Sequence, residues 1–179
     1  IGNTYATQTW AALFAPLIVG FVADRLFNKE RVNGILHLLG GGLLLWCSSI
    51  TDSPTEFFWA MMAFFLCYMP TLALSNTVAF SNIDDRNKFP ALRVWGTIGW
   101  IAAGLVVGGL AMSSSPKIFQ LGAASAITLG ILCFFMPKTP PPAKGKPINF
   151  ETLIMLDAFK MLKDVPFLVF IVCSALICV

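Results

Sequence analysis

Charge is what this sequence has least of. Only 12% of its 179 residues are charged, while 57% are apolar. Soluble domains carry roughly 25% charged residues, because polar side chains must cover a wetted surface. That shortage excludes an ordinary soluble globule. A net charge of +3 gives little to attract a polyanion, so nucleic acid is not an expected partner. There is one histidine, His37; a packed or interfacial role suits it best, with a proton relay as the alternative, since ionisable groups in membrane helices are often functional. The five cysteines (Cys47, Cys67, Cys133, Cys173 and Cys178) all fall within apolar runs at no metal-ligand spacing. They read as small packing residues, and no metal or cofactor is expected. The sequence also lacks His-Glu-x-x-His, Gly-x-Ser-x-Gly and any Walker loop, so nothing in it suggests an enzyme.

What the sequence does have is long apolar runs. A helix crossing the hydrocarbon of a bilayer needs about 20 mostly apolar residues. Five runs qualify as complete spans: Thr4–Ala23, Gly34–Ile50, Phe57–Phe80, Val94–Met112 and Ile118–Met136. A sixth begins near Val165 and reaches only to Val179. The runs are rich in Leu, Ala, Phe and Gly, without the alternation of a membrane strand. A helix satisfies its own backbone in lipid, which a lone strand cannot do. The fold class is therefore all-α, a polytopic transmembrane helix bundle with the lipid bilayer as its solvent. The chain starts at Ile1 with no signal peptide, and it reads as an internal piece of a longer transporter-like protein.

The connectors set the expected orientation. Of the 12 basic residues, all but Lys117 fall on alternate connectors: Arg25, Lys29 and Arg31, then Arg86, Lys88 and Arg93, then Lys138 through Lys163. By the positive-inside rule that side is cytoplasmic. Three regions follow. Residues 1–137 form a five-span bundle, and 138–164 form a cytoplasmic loop that opens with a proline-rich stretch. Residues 165–179 begin a truncated next span. Within the loop, Leu153, Leu156, Phe159 and Leu162 recur at helical spacing, so Phe150–Lys163 is expected to be a short amphipathic helix along the inner membrane surface.

Three constellations carry chemistry. Gly20-Phe21-Val22-Ala23-Asp24-Arg25, with Lys29 and Arg31, ends one span and opens a basic turn. Glycine permits close helix approach, and an aspartate at the membrane edge can pair with arginine or face a helix N-terminus. Tyr68-Met69-Pro70-Thr71 and Asn76 lie within the third run. Pro70 can kink that helix. Tyr68 and Asn76 are expected to face the bundle or a wet cavity, as substrate contacts or as interhelix hydrogen bonds. The third is Phe89-Pro90-Ala91-Leu92-Arg93-Val94-Trp95-Gly96-Thr97-Ile98-Gly99-Trp100. At about 100° per residue, Arg93, Thr97 and Trp100 fall within roughly a 60° arc. That stripe offers a cation, a hydroxyl and an aromatic face, the means to bind a sugar and a planar base. Anchoring at the membrane edge is the plainer role for Arg93, and apolar packing for Trp100.

The glycine–aspartate turn resembles the signature of the major facilitator superfamily, with Phe27 and Glu30 as departures from it. Phe-Pro-x-x-Arg-x-Trp-Gly-Thr-Ile-Gly, Tyr68-Met69-Pro70-Thr71-Leu72 and Leu156-Asp157-Ala158-Phe159 together resemble the nucleoside:proton symporters of that superfamily. The resemblance covers the second helix to the start of the seventh. It implies the N-terminal half of a twelve-helix bacterial inner-membrane transporter that takes up nucleoside with a proton by alternating access. It also implies a C-terminal half that completes the cavity and nucleoside contacts at Arg93, Thr97 and Trp100, with Trp100 where phenylalanine is common. Transport of a sugar or another small polar solute is the nearest rival. A non-transporting membrane sensor on the same scaffold is the other.

Overall fold

The structure, a computed structural model, describes residues 2–112, 115–145 and 163–177. All regular structure among them is helical, as the apolar runs require. The first unit, Ile1–Lys144, holds five helices: α1 (Gly2–Arg25), α2 (Lys29–Ser49), α3 (Pro54–Asn82), α4 (Phe89–Gly109) and α5 (Lys117–Cys133). A 3₁₀ turn, Arg86–Lys88, leads into α4. The second unit, Gly145–Val179, contains α6 (Val165–Ile177). The amphipathic stretch expected at Phe150–Lys163 lies outside the described residues apart from its last member.

Among the described residues, four helices, α1 to α4, are long and apolar enough to cross a membrane. α5 is shorter, at 17 residues, or about 26 Å at 1.5 Å per residue. The expected run continued to Met136, but the helix closes at Cys133 and the chain turns through Phe134–Met136. Pro137 follows at once, and a residue preceding proline is pushed out of helical geometry. α1 and α3 extend beyond both ends of their apolar runs, while α2 and α4 start earlier than theirs and stop sooner, at Ser49 rather than Ile50 and at Gly109 rather than Met112. α3 starts on a cap, with Ser53 Oγ accepting from the Glu56 backbone N–H at 3.3 Å and Pro54 in the first turn. α1 and α3 both run unbroken through their internal prolines, Pro16 and Pro70.

Packing joins α2 to α5, α2 to α3 and α1 to α3. The core is built of small residues. Ala11, Ala23, Ala60 and Ala123 are fully buried, and Cys47 and Cys133 nearly so. The closest approach is between α2 and α5. A Cβ added to Gly34 would lie 3.0 Å from the Gly130 carbonyl oxygen, and one added to Gly130 would lie 3.0 Å from that of Gly34. Further along, a Cβ on Gly41 would strike Ile127 Cγ1 at 2.6 Å. Without side chains at these points the two backbones touch, as in small-residue helix pairs of membranes.

α4 stands apart. No residue in it is buried, and its contact with the rest of the unit is confined mainly to the turn that leads into it. Phe89, its first residue, stacks on Phe80 of α3 with ring centroids 4.1 Å apart.

Candidate functional site

The stripe expected to bind ligand lies on α4. Arg93, Thr97 and Trp100 are all exposed, Trp100 to 78%. Among the described residues none of the three makes a hydrogen bond or ion pair. A guanidinium, a hydroxyl and an indole are thus presented along one helix face, with their polar groups uncommitted. Gly104 and Gly108 continue α4, and a Cβ on either would meet nothing within 4 Å.

The two candidates on α3 part company. Tyr68 is half-buried and stacks on Phe64, with centroids 5.5 Å apart and planes at 15°. Both rings line a cavity between α2, α3 and α5. Asn76 is exposed, on a side of α3 that no described helix covers. Its neighbour Ser75, also exposed, is tied to α2 instead, with Ser75 Oγ accepting from Asn33 Nδ2 at 3.3 Å. The same Asn33 amide donates to Cys133 Sγ at 3.6 Å. Asn33 therefore pins α2 to both α3 and α5.

The glycine–aspartate turn is closed by an ion pair at the N-terminus of the next helix. Asp24 pairs with Lys29 at 2.9 Å, across the turn and at the first residue of α2. A carboxylate there also complements the positive end of that helix. Arg25 lies over the Phe21 ring, 5.5 Å from its centroid. Gly20 has open space around it, so the close approach expected of that glycine occurs at Gly34 and Gly130 instead.

One device at this end of the bundle was not read from the sequence. After α5 the chain runs across the ends of three helices as an irregular strap, Lys138–Lys144, that ends in a turn. Its centre is Thr139, only 4% exposed. The Thr139 N–H donates to Glu30 Oε2 at 2.9 Å, and its carbonyl accepts from the Lys29 N–H at 3.1 Å. Its hydroxyl accepts from Asn82 Nδ2 at 2.9 Å. Further on, the Ala143 N–H donates to the Asp24 carbonyl at 2.9 Å. Glu30 is 2% exposed. Its position as an acid in an otherwise basic turn was the one available signal. No group of three or more histidine, cysteine or acidic side chains that could hold a metal ion occurs among the described residues.

Comparison with known proteins places this arrangement. The family described as nucleoside H+ symporter matches residues 1–179. The putative nucleoside transporter YegT of Escherichia coli (strain K12) is 40% identical over 98% of this chain and 43% of its own length. Xanthosine permease of the same organism is 32% identical over 92% of this chain and 40% of its own. Its nucleoside permease NupG is 31% identical over 99% of this chain and 43% of its own. The chain therefore spans less than half the length of these relatives. Two crystal structures of the nucleoside transporter NupG, one of a mutant, superpose with TM-scores of 0.80 and 0.76 at 31% identity. They cover 96% and 98% of this chain and 44% of NupG. The bundle is thus a major facilitator type of helical membrane fold, and the chain belongs to the nucleoside H+ symporter family.

Proposed function

We propose that this chain forms part of a secondary transporter of the bacterial inner membrane that takes up nucleosides together with protons by alternating access. The observation that carries the reading is the family match across all 179 residues. Its relatives in that comparison are named as nucleoside transporters or permeases. The geometry of α4 suggests where substrate is held. Arg93 and Thr97 hydrogen-bond hydroxyl or carbonyl groups of the nucleoside, and Trp100 stacks on its base. An exposed stripe of this kind needs a facing surface, and relatives more than twice this length have the chain to supply one. Asn76 and the Gly20–Asp24–Arg25 turn serve the same transporter, Asn76 along the solute path and the turn at a hinge between helices. The proton-coupling group is proposed to lie on the facing surface, because no Asp or Glu falls deep within α1 to α5.

The test is uptake of radiolabelled uridine and adenosine into vesicles containing the protein in its natural full chain. An acid-outside pH gradient should drive accumulation, and a protonophore should abolish it. Equal uptake with and without the gradient would leave facilitated diffusion. No uptake of either nucleoside would overturn the substrate assignment.

A further inference from the structure

We propose that the cavity between α2, α3 and α5 is a second binding site, separate from the α4 stripe, for a small neutral aromatic molecule bearing a hydrogen-bonding edge. The cavity holds about 310 Å³. An apolar cavity of about 150 Å³ is enough to take benzene, so one or two fused rings fit here. It is a groove at mid-length of the three helices, with His37, Phe64, Tyr68, Gly122, Ser125 and Leu129 among its walls, and it opens outward past the exposed Ser125 and Leu129.

Its polar equipment is specific and unspent. His37 is 7% exposed and makes no hydrogen bond among the described residues. Its ring nitrogens are not sealed off as Asn33 Oδ1 is, so a molecule entering the cavity can bond to them. In its neutral form the imidazole offers one donor and one acceptor. The Tyr68 hydroxyl likewise makes no hydrogen bond among the described residues. Ser125 spends its proton on the Leu121 carbonyl at 2.9 Å, which leaves its oxygen free to accept. No charged side chain lines the cavity, so an ion entering it would be desolvated without a counter-charge. The ligand is therefore neutral. The stacked Phe64 and Tyr68 rings supply a flat aromatic wall against which a ring packs favourably.

The space is also left open where filling it would be easy. A methyl on Gly40 would meet Phe64 at 3.7 Å, an ordinary contact. A lipid acyl chain could fill the volume, but it would leave His37 unpaired.

The test uses 5-fluoroindole as probe, followed by fluorine NMR on the natural full chain in lipid nanodiscs, with empty nanodiscs to subtract partitioning. Saturable binding is expected. His37→Phe should weaken it at least tenfold, Ala126→Leu should abolish it, and excess uridine should leave it unchanged. Each variant is first checked for the parent's thermal unfolding transition. If Ala126→Leu fails that check, Gly40→Ala is the gentler filler and should weaken binding several-fold. The proposal is overturned by absence of saturable binding, by binding that survives both the His37 and the filler variants, or by displacement with uridine. A tightly held lipid that the probe cannot displace would overturn it as well.

Discussion

Arg93, Thr97 and Trp100 were legible as a group because one helix supplies all three. Helical spacing alone puts them on a common face, and α4 forms where its apolar run places it. If the stripe contacts nucleoside, Trp100→Ala should weaken binding by roughly 1–3 kcal/mol, the worth of an aromatic–base stack. Arg93→Lys should also weaken it, since a planar fork of donors becomes a single point charge. Val94→Ala, one residue off the stripe, should bind as the parent does. Isothermal titration with uridine on folded, full-chain protein reads all three, and parent-like binding by both Trp100→Ala and Arg93→Lys would remove the stripe from the site. Glu30 and Thr139 were not legible, because they stand 109 residues apart in sequence and meet only after the bundle has formed. Asn33 and Cys133, 100 residues apart, are the same case. The Glu30–Thr139 bond is itself testable. Glu30→Ala leaves a buried N–H without an acceptor, which costs about 1–3 kcal/mol. Glu30→Gln retains an acceptor oxygen and should cost less. Limited trypsin digestion at Lys138 and Lys144 should accelerate in Glu30→Ala and much less in Glu30→Gln, and identical digestion of all three proteins would show that the clasp does not hold the strap.

Among the elements, α2 is the organiser. Its Asn33, His37, Gly34 and Gly41 all turn toward neighbouring helices, and nearly half of its spanning segment is buried, whereas none of α4 is. Apolar content did not reveal this difference, since both helices are hydrophobic enough to span. The glycines did contain the information, but a glycine in a membrane helix does not say which partner it admits. Gly20, expected to mark a close approach, has open space, while Gly34 and Gly130 meet backbone to backbone. A methyl on Gly130 would meet the Leu38 side chain at 2.9 Å and the Gly34 carbonyl oxygen at 3.0 Å; the backbone oxygen cannot swing aside as a side chain can, so Gly130→Val should strain the α2–α5 crossing by roughly 1–3 kcal/mol, as overpacked cores do. Gly42→Ala, on the partner helix α2, meets nothing within 4 Å and is the control. Thermal unfolding in detergent should show a lower midpoint for Gly130→Val alone. Matching midpoints for the two variants would mean that the crossing is looser than its geometry.

For the whole molecule, the basic connectors and the strap together define one end of the bundle. The strap bonds to Asp24 at the end of α1, to Lys29 and Glu30 at the start of α2 and to Asn82 at the end of α3. The Phe80–Phe89 stack brings the start of α4 to the same end. Charge counting and hydrogen bonding therefore converge on a single basic face, although the first used only sequence and the second only geometry. The positive-inside rule predicts that this face is cytoplasmic. The opposite end carries the acidic Thr51–Glu56 connector, where Trp46 Nε1 donates to Glu56 Oε1 at 3.1 Å. Single cysteines in a cysteine-free background of the full chain, expressed in intact cells, test the assignment. Asp52→Cys should react with an impermeant maleimide added outside, because Asp52 is exposed at the acidic end. Asn87→Cys and Lys138→Cys, exposed at the basic end, should react only after the cells are opened. The reverse pattern would invert the bundle in the membrane and place the strap outside, beyond the reach of any cytoplasmic event.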